Sequence, residues 1–343
     1  MIFRRLAPVA LFAAAVLSGC QNSAPESMAA AEAAIAKHQY FDAQAALLAW
    51  REDNGASPEN SALLAKVLIE LGDGYTAERY LTELEPQRGT TPEWLSLRAR
   101  SLILQGNPWR ARELIERSGW TGAPEGEREY LLVWAAMEEG NTGQAIAEVD
   151  RALRLYPDHA GLNAKAARLA VWEDKWDAAE RHIAAALAAD PDQFEALLVL
   201  GEGQIADGDL EAALKTYRLA GKAYPDFAIP HANVAGLLLD LGRLDEADKT
   251  LGKALQAHPE FPLLRFNAAR LAAMRGQWKV ARAAVQALPT EWKRTFPATI
   301  MLEADIEAGL GNHAMASTLY AQLADDPRFA QQALTKRDAL PAG

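Results

Sequence analysis

Between Phe194 and Phe227 the apolar side chains fall at helical rather than strand spacing, in two runs separated by a glycine. The first run places Leu197, Leu200, Gly201 and Gln204 on one helix, and Gly208 follows in the place of the left-handed residue that ends such a helix. The second carries Ala213, Tyr217 and Ala220, and Pro225, which has no amide hydrogen to donate, stops it. Alternating β-branched segments are nearly absent along the chain. The pattern predicts an all-α protein built from helix–turn–helix units.

The unit recurs. Pro157, Pro191, Pro225 and Pro259 are spaced by 34 residues. Steps of 34 from Ala213 reach Ala43, Ala77, Ala111, Ala145, Ala179, Ala247 and Ala281. Steps from Gly208 reach Gly72, Gly106, Gly140, Gly242 and Gly276, with His38 and Asp174 as departures. Steps from Tyr217 meet only apolar residues: Leu47, Leu81, Ile115, Val149, Ile183, Leu251 and Val285. A ninth unit follows with one residue added, marked by Ala304, Gly311, Ala316 and Tyr320. This period and these positions resemble the tetratricopeptide repeat family, in which small residues stand where two helices approach most closely. The resemblance implies a right-handed α-solenoid of about nine repeats over residues 28–327, with stacking that buries one continuous core. The more polar residues 328–343 are expected to cap it. Trp50, Leu84 and Ser118 replace the alanine found in the middle units, so the outer repeats should pack less regularly.

The amino terminus follows a different pattern. Arg4 and Arg5 precede the apolar segment Leu6 to Leu17, which is too short for the roughly 20 residues that span a bilayer. It reads as a signal peptide over residues 1–19. Cys20 is the sole cysteine, so it closes no disulfide within the chain and forms no thiolate cluster. A buried free thiol is one reading of it. The other rests on Leu17-Ser18-Gly19-Cys20, which resembles the lipobox of bacterial lipoproteins. That resemblance implies cleavage before Cys20, lipidation of its thiol, acylation of the new terminus and a short linker through residue 27. Gln21, rather than the aspartate of the inner-membrane retention pattern, implies the outer membrane facing the periplasm, with the inner membrane as the alternative.

Charge and motif content narrow the function. The net charge of −11 becomes −13 when Arg4 and Arg5 leave with the leader, which disfavours general attraction to nucleic acid. The six histidines, His38, His159, His182, His231, His258 and His313, are scattered over different units without metal-ligand spacing. No G-x-S-x-G or phosphate-binding loop occurs, and Glu138-Glu139 and Asp325-Asp326 lie at helix ends or loops where acids solvate. No catalytic residue, metal or cofactor is expected.

In the family the first helix of each unit lines the working groove. That resemblance singles out Tyr130, Trp134, Arg168, Trp172, Asn233, Phe266, Asn267 and Arg270. Asn233 and Asn267 lie 34 residues apart and resemble an asparagine ladder, whose amides offer a donor and an acceptor to a bound peptide backbone. Inter-helix ties explain the same pair, and core packing explains the tryptophans. The chain is therefore expected to be a membrane-anchored scaffold that holds a segment of an envelope protein during assembly of a pilus, secretin or export complex. The alternative is an accessory of exopolysaccharide export.

Overall fold

A computed structural model describes residues 28–88 and 91–341; Cys20 and the leader lie outside them. The described residues form twenty helices and no strand. They divide into two compact units, one ending at Phe227 and one beginning at Ala228.

The first unit holds six helical pairs: α1 (Met28–Ile35) with α2 (Tyr40–Asn54), α3 (Pro58–Glu70) with α4 (Gly74–Arg88), α5 (Pro92–Leu104) with α6 (Pro108–Arg117), α7 (Glu127–Glu138) with α8 (Thr142–Leu155), α9 (Ala160–Trp172) with α10 (Trp176–Ala189), and α11 (Phe194–Ala206) with α12 (Leu210–Ala223). From α3 to α11 each first helix also packs on the first helix of the next pair, and each second helix on the first helix that follows it. The second unit holds α13 (Ala228–Asp240) with α14 (Leu244–Ala257), α15 (Pro262–Met274) with α16 (Trp278–Gln286), the short α17 (Thr290–Thr295), α18 (Ala298–Gly309) with α19 (His313–Ala321), and α20 (Ala330–Asp338), which packs on α19.

All eight alanines of the 34-residue series are fully buried, and the apolar series led by Leu47, Leu81 and Ile115 is nowhere more than 5% exposed. Those alanines have no side chain beyond Cβ, so the facing helix can come close at every repeat. Gly72, Gly106, Gly140, Gly208, Gly242, Gly276 and Gly311 all have φ between 70° and 82°. The two departures, His38 and Asp174, adopt the same left-handed conformation with φ of 54° and 61°. This conformation costs a side-chain-bearing residue more than it costs glycine. His38 has a visible use for its ring: it stacks on Tyr224 with centroids 4.2 Å apart, and its Nδ1 donates to the Ala223 carbonyl at 2.9 Å. The Phe41 amide donates to Asp226 at 2.9 Å, so the first and sixth pairs of this unit meet.

Two second helices are short. In α6 only ten residues are helical before Ser118 and Gly119, and the Trp120 indole donates to the Ile115 carbonyl near the helix end. In α16 nine residues precede Leu288 and Pro289, where α14 continues at the equivalent position. Proline at a helix-interior position removes a backbone bond and collides with the preceding turn. The chain then forms α17, and Trp292 and Phe296 fill space beside Phe266. The irregularity at the eighth unit is thus larger than the single added residue suggests.

Candidate functional site

In the first unit, α5, α7, α9 and α11 present a face of aromatic and charged side chains. Tyr130 and Trp134 lie one helical turn apart on α7, with ring centroids 6.2 Å apart. The Arg100 guanidinium lies 5.5 Å from the Tyr130 ring, and the Lys165 ammonium lies 5.7 Å from Tyr130 and 5.4 Å from Trp134. These distances fit cation–π attraction. Both cations, and Arg168 on α9, are also paired: Arg100 with Glu127 at 2.9 Å, Lys165 with Glu195 at 2.7 Å, and Arg168 with Glu202 at 2.5 Å. The pairs connect neighbouring first helices and fix the face.

Burial pushes the Lys165 ammonium toward deprotonation, but Glu195, Tyr130 and Glu138 together more than offset this and leave its pKa above the ordinary lysine value. Lys165 is therefore a held cation and not a neutral amine available for proton abstraction. His159 sits against Tyr130 and caps α9, its Nδ1 accepting from the Leu162 amide at 3.1 Å. Burial lowers its pKa, and the neutral ring is the form that can accept that bond. Among the described residues no group of histidine, cysteine and carboxylate side chains is arranged to hold a metal ion.

Of the expected residues in this unit, Tyr130 and Trp134 are half-buried, Arg168 is committed to Glu202, and Trp172 at the end of α9 is 38% exposed. Sequence reading missed Arg100, Glu127, Lys165, Glu195 and Glu202. One signal was present: Arg100, Trp134, Arg168 and Glu202 follow one another at 34-residue steps, so they occupy matching positions on successive first helices.

The second unit corrects part of the groove expectation. Phe266 is 5% exposed and packs edge-on to Phe296 at 5.1 Å, inside the core. Asn267 is 2% exposed, and its Nδ2 donates to the Ala232 carbonyl on α13 at 2.8 Å. An extended ligand cannot reach either side chain, so Asn267 ties two helices together and is not a rung. Its Oδ1 accepts from Arg270 at 3.4 Å, while Arg270 pairs with Asp240 at 2.5 Å. Asn233 is half-buried. Asn60 and Asn163 are buried in the same manner, Asn60 Nδ2 donating to the Leu47 carbonyl at 2.9 Å and Asn163 Nδ2 to the Pro157 carbonyl at 2.7 Å. Asparagine on a first helix is thus, at these three positions, a structural tie.

Residues 136–202 and 238–294 match a tetratricopeptide repeat family model. A comparison with curated protein sequences finds no match. Solved structures give several. The type IV pilus biogenesis factor PilW is 21% identical, with a TM-score of 0.50 over 62% of this chain and 97% of its own. A tetratricopeptide repeat protein from Parabacteroides merdae is 15% identical, with a TM-score of 0.50 over 72% of this chain and 98% of its own. Human IFIT1, solved as a dimer with m7Gppp-AAAA, is 16% identical, with a TM-score of 0.55 over 89% of this chain and 78% of its own. At these identities the likeness is one of fold. The helical pairs, the buried 34-residue alanine series and the matched segments together give this chain an all-α fold of tetratricopeptide type.

Proposed function

We propose that the chain is a non-enzymatic scaffold, anchored through a lipid on Cys20 to the periplasmic face of the outer membrane, that holds a segment of an envelope protein during assembly of a pilus, secretin or export complex. The observation that carries the binding role is the α7–α9 face. It offers Tyr130, Trp134 and the exposed Trp172 on a framework whose cations are already neutralised by carboxylates. Such a surface is suited to apolar and aromatic side chains of a partner, and aromatic anchors of this kind dominate the energetics of protein interfaces. The anchor rests on Leu17-Ser18-Gly19-Cys20 behind a short apolar leader. The likeness to PilW, itself a type IV pilus biogenesis factor, supports the choice of a pilus among the candidate assemblies.

A photoreactive phenylalanine analogue placed at Trp172 in living cells tests this reading. The expected result is a covalent adduct with one envelope protein of a pilus, secretin or export system. The adduct should disappear when Trp134→Ala is added, while the melting curve stays within a few degrees of the parent. Adducts to no protein from either Trp172 or Trp134, with the fold intact, would remove this face from the mechanism.

A further inference from the structure

The first helical pair exposes apolar side chains among its charged ones, Glu32, Lys37, Asp42, Glu52 and Asp53. Ala29, Ala33 and Ala36 are exposed on and just after α1, and Phe41, Ala45 and Leu48 are exposed on α2. Phe41 also begins a row. Steps of 34 residues from it reach Tyr75 on α4 and Trp109 on α6, both at the second position of their helix. These three aromatics are 40%, 58% and 56% exposed, and Leu48 is 42% exposed. The next positions in the series, Gly143, Asp177, Glu211 and Asp245, carry no aromatic. An aromatic row confined to the three pairs nearest the amino terminus is not required by the repeat itself, because the later repeats fold without it.

We infer that this row, together with Leu48, rests on the lipid headgroup layer of the membrane that holds the Cys20 anchor. The inference depends on the anchor proposed above. Only the seven residues 21–27 separate Cys20 from Met28, and fully extended they reach about 25 Å. A lipid at Cys20 therefore keeps the first pair within a short distance of the bilayer surface. Aromatic side chains with one polar end favour that interface, and the row supplies a tyrosine hydroxyl and an indole beside the wholly apolar Phe41 and Leu48. The Arg110 guanidinium lies 5.1 Å from the Trp109 ring and is exposed, within reach of headgroup phosphates. Asp42 beside Phe41 and the net charge of −13 left after Arg4 and Arg5 depart with the leader oppose attraction to anionic lipid, so the contact is interfacial and not a basic patch on an acidic surface.

The test uses the full chain with its lipid, reconstituted in phosphatidylethanolamine vesicles containing some phosphatidylglycerol. Lipidation occupies Cys20, so Tyr75→Cys, Trp109→Cys or Asp177→Cys each supplies the sole free thiol for a nitroxide label. Asp177 is the control, at the same helix position two repeats beyond Trp109. Collisions with a water-soluble nickel chelate should be about threefold less frequent at 75 and 109 than at 177, and collisions with oxygen more frequent, as expected at the membrane interface. Adding Phe41→Ser and Leu48→Ser should return positions 75 and 109 toward the control value without changing the helical signal. Equal accessibility at all three positions in a chain that floats with the vesicles would overturn the membrane face and leave the anchor standing. A chain that does not float with the vesicles would overturn both.

Discussion

Gly201→Ala should destabilise the protein, although alanine is the better helix former. Gly201 lies in the middle of α11 and faces Tyr217 on α12, where the seven repeats in 34-residue step with it have Leu, Ile or Val and the ninth unit has Tyr320 with Ala304 in the place of glycine. A Cβ at Gly201 would lie 2.5 Å from Tyr217 Cζ and 2.6 Å from its Cε1, closer than real carbon contacts allow. Tyr217 cannot easily move away, because it is 1% exposed and is among the largest fully buried side chains of the chain. Replacing a mid-helix glycine by alanine gains about 0.8–1.0 kcal/mol of helix propensity. Overpacking a tight core costs about 1–3 kcal/mol, so the net expectation is a loss of about 0.5–2 kcal/mol. Repeat arrays need not unfold in two states, so native-state hydrogen exchange of the α11 and α12 amides is the direct assay, with urea unfolding beside it. Tyr217→Leu supplies the residue found in this register at Leu47, Leu81 and Leu251. Combined with Gly201→Ala it should recover about 1–2 kcal/mol relative to the sum of the single changes. Slower exchange in Gly201→Ala alone, or strict additivity of the two substitutions, would refute the fit of glycine to tyrosine.

Acid should weaken the fold through its buried histidines. The pKa values of His159, His182 and His258 are lowered from 6.5, in each case first by burial, with Arg181 adding to the effect at His182 and His231 at His258. The unfolded chain therefore binds protons before the folded one, and stability held above pH 6.5 is lost as pH falls through the folded-state values. His159→Asn keeps an acceptor at the cap of α9 and should reduce the drop in urea midpoint between neutral and mildly acidic solution; an unchanged drop would exclude His159 as a contributor. The two asparagines of the second unit should part company. Asn267→Ala leaves the buried Ala232 carbonyl without its side-chain donor and should cost about 1–2 kcal/mol in chemical unfolding. Asn233→Ala should cost less than about 0.5 kcal/mol, and equal costs would contradict the assignment of Asn267 alone as a tie.

What the sequence determined by itself was whatever repeats. Ala43 to Ala281, Gly72 to Gly276 and the apolar partners of Tyr217 announce helix, turn and contact, because the same local geometry is imposed every 34 residues and only a few residue types satisfy it. Even His38 and Asp174 obeyed the turn while departing from its usual residue. Tertiary structure decided the matters that depend on which side of a helix is covered. Asn267 and Phe266 share the register of groove residues, yet α13 covers the first and Phe296 packs against the second. Lys165, which sequence reading did not single out, is enclosed by Glu195, Tyr130 and Trp134. Phe41, Tyr75 and Trp109 are large aromatics, yet they stand partly in solvent. A 34-residue period specifies a position within the repeat, but burial there depends on the size of side chains from neighbouring helices, and no local pattern contains that information.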